Sequence, residues 1–479
     1  MNPLSLAHIA QRVNGRLHGA GAGVTIDAVA TDTRKLDAAD AHAVLFVALK
    51  GETFDGHDHL ADAAARGARA ALVARPMPVA LPQIVVADPQ VALGALAGAV
   101  QGTRDATVIG ITGSNGKTSV KQLVAAILSR HAATCFNPGN LNNEIGLPLS
   151  VLDAPDDAKF AVYEMGAGKP GDIAYLTAIA PPHIALVNNV APAHMERMGS
   201  LLGIADTKAA IYDALPADGT AVINADDAFA PYFAQRAHGR RLLRFGIDAT
   251  ADVRAHGVRL DAAGARFRLV TPAGDAEVVS PLPGRHNVSN ALAAAAIALA
   301  AGVPLETIVA ALAAAEAVAG RLVRHTLDGG AVLIDDSYNA NPGSLNAAID
   351  TLATAPGERW LVLGDMRELG ADGAAMHAQA GTRAKAAGIG RLYVLGELSA
   401  QAAHAFGEAA RHFDRHADLI SALQADLSGA AASRITNHES RPSADEGRVV
   451  TVLVKGSRGS AMDRVVDALL AAQGPHDAA

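Results

Sequence analysis

The sequence predicts an α/β protein of three domains, and three observations point there. Short apolar runs alternate with segments of helical period along most of the 479 residues. Between 251 and 282 the pattern changes to apolar runs separated by Ala263-Gly264 and Pro272-Ala273-Gly274, as in an antiparallel meander. A fresh alternation begins after Ala319-Gly320-Arg321, which reads as a linker. The divisions fall at 1–88, 89–320 and 321–479. They give a small N-terminal α/β domain, a central parallel sheet with an antiparallel extension, and a C-terminal Rossmann-like, doubly wound sheet.

In the first domain, strands are expected at Val44 to Leu49, Ala70 to Val73 and Ile84 to Val86, with a helix near 59–67. The polar clusters Thr31-Asp32-Thr33-Arg34 and Lys50 to Asp58 read by themselves as turn chemistry. Residues 89–103 form a helix leading into the central domain. There Val108, Ile109 and Ile111 mark a buried strand, and Gly110, Gly113 and Gly116 release the backbone into a turn. Lys117 and Thr118 then open a helix whose Val120, Leu123, Val124, Ile127 and Leu128 share one face. Strand, glycine turn, helix N-terminus and Lys-Thr make a phosphate cradle, a P-loop for ATP or GTP, with Thr118 placed to meet Mg²⁺. The usual glycine six residues before the lysine is replaced by Ile111. Further strands end at Glu164, before the loop holding Asn188, Asn189 and His194, and at Asn224. The C-terminal alternation places strands at 331–335, 360–364, 391–395 and 449–454, and helices at 344–354, 374–387, 400–410 and 460–472. Residues 428–447 lack periodicity and read as a mobile loop, and the tail after 473 as frayed.

Composition excludes several classes. Half of the residues are hydrophobic, enough for a core in each domain, but only 4% are aromatic, too few for base-stacking platforms. The net charge of −8 and the lack of a basic stripe argue against nucleic acid as a partner. Cys135 is the single cysteine, so no intrachain disulfide can form. With no signal-peptide pattern, the expected compartment is the cytoplasm. The apolar stretch 291–303 is shorter than the about 20 residues of a membrane span, so a buried helix is expected and no membrane insertion. Two classes stay open on these grounds: an enzyme that spends ATP on bond formation, and a nucleotide-gated switch. The lack of an N-K-x-D base-recognition signature and the presence of flanking domains favour the enzyme.

Several stretches together resemble the Mur ligase family, over essentially the whole chain: T-G-S-N-G-K-T (112–118), Y-E-M-G-A (163–167), N-N-V-A-P-A-H-M-E (188–196), G-R-H-N-V-S-N (284–290), G-R (320–321) and D-D-S-Y-N-A-N-P (335–342). The family's T-G-x-N-G-K-T loop accounts for Ile111. Within the family, N-P-G-N-L-N-N-E-I-G-L-P (137–148), L-G-D-M-R-E-L-G (363–370), V-K-G-S-R (454–458), T-D-T-R (31–34) and A-L-K-G-E-T-F-D-G-H-D (48–58) are similar to the member that adds D-alanyl-D-alanine to UDP-N-acetylmuramoyl-tripeptide (UDP-MurNAc-tripeptide). The resemblance implies an ATP- and Mg²⁺-dependent amide ligase of cytoplasmic peptidoglycan synthesis, acting through an acyl phosphate, as a monomer. The alternatives are a sister ligase adding a single amino acid, a folylpolyglutamate synthase, and a non-ligating ATP-binding scaffold.

The same resemblance assigns residues by position. Gly113, Ser114, Asn115, Gly116, Lys117, Thr118 and Ser119 would hold phosphates, with Thr118 and Glu164 at a first Mg²⁺. His194 would sit at a second, with Lys208 where the family has an N-carboxylated lysine. Lys117, Glu164, His194 and Lys208 are thus the catalytic candidates. His286 and Asn287 would meet adenine, Arg321 and Asp336 the γ-phosphate and ribose, with Tyr338 and Asn341 lining the nucleotide site. Thr33, Arg34, Lys50, Asn140, Asn142 and Asn143 would contact the UDP-substrate, and Asp365, Glu368, Lys455 and Arg458 the peptide and dipeptide ends.

Overall fold

Three parallel-rich sheets carry the chain, as the alternation predicts. The computed structural model describes residues 1–37, 39, 41–438 and 449–472, with the side chains of 433–438 left aside. The N-terminal sheet runs Arg16–His18, Gln83–Val85, Ala70–Val73, Val44–Val47, Ala28–Ala30, and only its first pair is antiparallel. A two-stranded ribbon, Leu4–Ser5 with Thr25–Ile26, sits beside it. The helix Pro89–Gln101 follows, and its start is set locally. Asp88 accepts hydrogen bonds from the N–H groups of Gln90 and Val91, and proline occupies the first turn, where its missing donor costs nothing.

The central sheet has nine strands. Six consecutive ones run parallel in the order Thr134–Phe136, Phe160–Glu164, Thr107–Thr112, Ile184–Val187, Thr220–Asn224, Arg241–Gly246. Val253–Asp261 joins parallel to the last of these, and Gly264–Thr271 and Gly274–Ser280 complete the expected antiparallel meander. The strand Thr107–Thr112 therefore lies between Phe160–Glu164 and Ile184–Val187, where the order of connection reverses. Ligands of open α/β sheets bind at the carboxyl ends at such a point. The alanine-rich stretch forms the buried helix Arg285–Ala300 packed on this sheet. Among the described residues, no helix is long and apolar enough to cross a membrane.

The C-terminal sheet runs Val323–Thr326, Val332–Asp336, Val450–Lys455, Glu358–Gly364, Arg391–Leu395, Ala410–Phe413. All neighbours are parallel except the first pair. One expectation fails here. Part of the stretch read as a mobile loop is instead the end of the helix His416–His438. Leu419 and Leu423 anchor that helix in the core, with Leu427 and Ala430 packed at its margin. Its later turns rest on alanine's helix propensity, which leaves no hydrophobic period to read. The rest of that loop, 439–448, and the tail after 473 lie outside the described residues.

The apolar cores divide unevenly. One core runs without a break from Leu6, Leu45 and Ile84 of the first domain through Leu93 and Leu96 to Tyr163 and Ile211 of the central one. The cores beyond Leu322 contain only C-terminal residues. What joins the C-terminal unit to the rest of the site is polar.

Candidate active site

The cleft begins at the turn after Thr107–Thr112. Gly116, at φ 77°, caps the helix Lys117–Ser129, and a Cβ there would lie 2.5 Å from Asn290 Oδ1 and 2.6 Å from Asn188 Nδ2. Glycine is thus required both by the left-handed backbone and by the close approach of two asparagines. Those asparagines belong to a frame around the loop. Asn188 Nδ2 donates to the carbonyl of Asn115 at 3.0 Å and to Asn290 Oδ1 at 3.1 Å. Asn189 Oδ1 accepts the Asn115 N–H at 2.8 Å, while its Nδ2 donates to the Asn115 carbonyl at 3.1 Å. Ser114 is tied to Ala191 in both directions. Asn188 and Asn290 are support residues that sequence reasoning missed. Their signal was weak: Asn188 sits in a loop, where asparagine reads first as turn chemistry, and Asn290 is one polar residue of the alanine-rich helix Arg285–Ala300.

Both neighbouring strands deliver a candidate. Glu164 is paired in register with Ile111 and Val187 with Thr112, so three strand ends meet at one level. Glu164 is 2% exposed. Its Oε1 accepts from Asn142 Nδ2 at 2.7 Å, and its Oε2 is buried with no hydrogen-bond partner. Lys121 Nζ stands 3.6 Å from that oxygen. Beyond Val187, His194 adopts a left-handed backbone at φ 54° and caps the short helix Met195–Met198. Its Nδ1 is hydrogen-bonded to Glu368 of the C-terminal unit, which is itself left-handed at φ 61°. Burial pushes the imidazole pKa down, and Glu368 opposes that. Lys208, on the helix Leu201–Asp213, is 3% exposed. Burial drives its pKa well below the ordinary lysine value; Lys117 adds to the shift and Asp172 opposes it.

The C-terminal unit closes the cleft with groups aimed at the loop. Arg321 donates from Nη2 to Thr118 Oγ1 at 3.1 Å and stacks 4.5 Å from the Tyr338 ring centroid. Asn341 Oδ1 caps the helix Pro342–Ala353, and its Nδ2 donates to Asn115 Oδ1 at 2.7 Å. Lys117 Nζ donates to the carbonyl of Gly113 at 2.8 Å. Burial lowers the Lys117 pKa, Glu164 raises it, and Arg321 lowers it further.

These elements enclose a cavity of about 590 Å³. Among the predicted residues, Ser114 to Ser119, Asn142, Asn143, Glu164, His194, His286, Asn287, Arg321, Asp336, Tyr338, Asn341 and Lys455 line it. Gly113 contributes through its carbonyl, and Lys208 is not on the lining. Other predicted residues stand apart. Thr33, Arg34, Lys50 and Asn140 are not on the lining. The exposed Arg34 is held by Asp32 at 2.7 Å, and the backbone of Lys50 forms an isolated antiparallel β-bridge with that of Asp55. Asp365 serves its own domain: its carboxylate accepts the Ser399 N–H at 2.8 Å, and its carbonyl accepts both serine hydroxyls, of Ser457 and Ser460. The Arg458 guanidinium pairs with Asp463 at 3.0 Å. Lys455, assigned above to the peptide ends, instead donates to Asp336 Oδ2 at 2.5 Å and to the Asn339 carbonyl at 3.0 Å. It therefore occupies the carboxylate assigned to the ribose. Burial raises the Asp336 pKa, against the pull of Lys455.

His286 gives a stability prediction. Burial, with Lys455 adding to it, lowers its pKa to about 4, against the ordinary value of about 6.5 in an unfolded chain. Between those values the unfolded state binds the extra proton, so stability falls as pH drops through this window and is unaffected by this group above it. The expected loss on acidification is about 1–2 kcal/mol, allowing for the ring's partial exposure. Thermal melts at stepped pH should show a shallower acid slope for His286→Gln than for the parent. An identical slope would exclude His286 as the source.

The residues present suit Mg²⁺. Among the described residues, no group of three His, Cys, Asp or Glu side chains converges. The cleft offers instead hard oxygens on few side chains: Glu164 Oε2, which accepts no hydrogen bond and lies 3.6 Å from Lys121 Nζ, and the Thr118 hydroxyl. This donor set fits an ion that keeps several waters and takes further oxygens from phosphates.

Comparison with known proteins agrees with this architecture. The family model of the Mur ligase middle domain matches residues 111–298, and that of the Mur ligase, glutamate ligase domain, matches residues 320–458. The chain is 44% identical over 470 residues to the UDP-N-acetylmuramoyl-tripeptide–D-alanyl-D-alanine ligase of Escherichia coli (strain K12), covering 98% of this chain and 99% of that protein. It is 38% identical over 513 residues to the ligase of the same name from Mycobacterium tuberculosis, covering 98% of each. A crystal structure of MurF from Acinetobacter baumannii superposes with a TM-score of 0.89 at 33% identity, covering 98% of this chain and 99% of that one. MurF ligase from Thermotoga maritima, solved in complex with ADP, superposes at 0.79 with 26% identity, covering 93% and 97%. The chain belongs to the Mur ligase family, among its UDP-N-acetylmuramoyl-tripeptide–D-alanyl-D-alanine ligases.

Proposed function

We propose that this cleft joins D-alanyl-D-alanine to UDP-MurNAc-tripeptide by way of an acyl phosphate, at the expense of ATP. The product is UDP-MurNAc-pentapeptide, and the ligation is a step of peptidoglycan synthesis. The observation that carries the reading is a phosphate loop faced by an arginine from another domain, Arg321 on Thr118 at 3.1 Å. A carboxylate is a poor acyl donor, and its attack on a triphosphate brings two anions together. Fixed positive charge at the γ-phosphate lowers that barrier.

The terminal carboxylate of the tripeptide attacks the γ-phosphorus, and ADP departs with the bridging electron pair. The amine of D-alanyl-D-alanine then attacks the acyl carbon. The tetrahedral intermediate expels inorganic phosphate and the amine loses its proton, leaving the amide. In this reading Lys117 and the backbone N–H groups of Gly113 to Ser119 hold the β- and γ-phosphates, and Arg321 follows the charge on the transferred group. Thr118 and Glu164 would hold a first Mg²⁺; His194 and Lys208, the latter as its carbamate, would hold a second. Bound there, Mg²⁺ supplies charge neutralisation of the phosphate oxygens. Lys208 suits carbamate formation because burial favours its neutral amine, whose nitrogen adds carbon dioxide with loss of a proton. His286 and Asn287 are read as meeting adenine, with Tyr338 and Asn341 lining the nucleotide site near the loop. With Lys455 on Oδ2, Asp336 would offer a ribose its Oδ1.

Residues 1–88 are read as the domain for the UDP moiety, 89–320 as the ATP-binding domain and 321–479 as the domain that brings the dipeptide. Thr33, Arg34, Lys50 and Asn140 belong on the first path, with Asn142 and Asn143 at the cleft. The enzyme is read as a monomer. The cytoplasm, where ATP is abundant, is the compartment of the reaction. Phosphate release with UDP-MurNAc-tripeptide, measured with and without D-alanyl-D-alanine, tests the reading, and turnover should require both. Turnover with a single amino acid in place of the dipeptide would favour a sister ligase. Absence of turnover with either would leave a scaffold.

A further inference from the structure

Lys121 takes no part in the scheme above, yet it is 0% exposed. It lies one turn beyond Lys117 on the same helix, among Val120, Leu123 and Val124. An apolar residue would pack there without the desolvation cost of an ammonium, so its charge calls for an explanation. Three acceptors surround Nζ: the carbonyl of Asn137 at 2.7 Å, the carbonyl of Gly139 at 3.0 Å, and Glu164 Oε2 at 3.6 Å. The two carbonyls belong to the loop that carries Asn142, and Asn142 grips Glu164 Oε1 at 2.7 Å. Asn137 closes the circuit. Its Oδ1 accepts the Glu164 N–H at 2.8 Å and its Nδ2 donates to the Glu164 carbonyl at 3.0 Å.

We propose that Lys121 is a positioning residue that clamps the 137–143 loop against Glu164, so that the edge of the cleft formed by Asn142 and Asn143 is assembled together with the carboxylate. The ammonium touches neither phosphate nor acyl carbon. It acts by turning two loop carbonyls inward and by lying on one side of Glu164 while Asn142 holds the other. Glu164 is thereby kept in one rotamer with Oε2 left free of hydrogen bonds. The loop's contact with the UDP-linked substrate rests on the function proposed above; the clamp itself rests on geometry alone.

Lys121→Met keeps the length of the buried stem and removes the charge. Hydrogen exchange of the unliganded protein should quicken at least tenfold in 137–143, with the helix Lys117–Ser129 unchanged. In phosphate-release kinetics, kcat/KM for UDP-MurNAc-tripeptide should fall at least tenfold, with KM for ATP within twofold. Lys121→Arg, which keeps the charge and donors, should recover part of both. Asn142→Ala, which cuts the same circuit at a partly exposed position, should quicken exchange in 137–143 if Lys121→Met does not fold. Unchanged exchange in 137–143 would overturn the proposal. So would faster exchange spread over the whole central sheet with ATP and UDP-substrate kinetics weakened alike, which marks an ordinary core residue. A parent enzyme without UDP-substrate-dependent phosphate release would instead refute the assigned reaction, leaving the exchange result to decide the clamp.

Discussion

A Lys117→Ala protein is expected to fold as the parent does and to lose ligation by about 10³-fold or more, the scale of removing a principal phosphate-charge stabiliser. Folding should survive because the loop does not depend on this side chain. Asn188, Asn189 and Asn290 frame it, and Lys117 Nζ adds only bonds to the Gly113 and Ser114 carbonyls. Glu164→Gln should give a loss of similar size with a smaller structural effect than Glu164→Ala. Both variants remove the negative charge facing Lys121, and breaking a buried charge pair costs about 3–5 kcal/mol; glutamine keeps the volume and can still accept from Asn142, whereas alanine adds a cavity and loses that bond as well. Circular dichroism melts and phosphate release, measured on the same preparations, separate the two effects. Near-parental ligation by Lys117→Ala or Glu164→Gln would show that the cleft has been assigned wrongly.

The second large effect concerns Lys208. Lys208→Ala should lower turnover by about 10²–10³-fold, the scale of losing one charge stabiliser, and short carboxylates such as acetate should restore part of it. Rescue is expected because the missing element is an anionic oxygen, which a small acid can supply in the space left by the side chain. In the parent, isotope-labelled bicarbonate should give a carbamate resonance that Lys208→Ala lacks. A fully active parent carrying free lysine at this position would end the carbamate reading, and loss without rescue would point to packing in place of chemistry.

The sheets were legible because buried parallel strands are continuous apolar runs, and Val108 to Ile111, Phe160 to Tyr163 and Ile184 to Val187 are such runs. The phosphate loop was legible because its chemistry is local: glycines, a lysine and a helix start within a few residues. What the sequence hid is whatever depends on distant partners. Lys121 was not singled out, and its meaning lies in carbonyls 16 and 18 residues away. Lys455 was placed with the peptide ends by its motif, yet it meets Asp336 because Val450–Lys455 and Val332–Asp336 are adjacent strands. The end of His416–His438 was read as loop because alanine and serine leave no amphipathic signature even where the backbone is helical.

The uneven division of the apolar cores has a mechanical consequence. The first two domains share one continuous interior and behave as a single body. The third has its own interior, and the backbone turns left-handed on either side of Arg321, at Gly320 (φ 70°) and Leu322 (φ 55°). Outside the cleft Arg324 donates to the Ala262 carbonyl at 2.6 Å; across the cleft, its fasteners are Arg321 to Thr118, Asn341 to Asn115 and Glu368 to His194. Each ends on a group that the nucleotide or its metal would also claim. The grip between the two bodies is therefore renegotiated whenever the cleft fills: triphosphate must loosen the same latch that it then re-forms around itself. Such a joint weakens as salt screens its charges and answers to its cargo, where an oily joint would be strengthened by excluded salts and would share no group with the nucleotide.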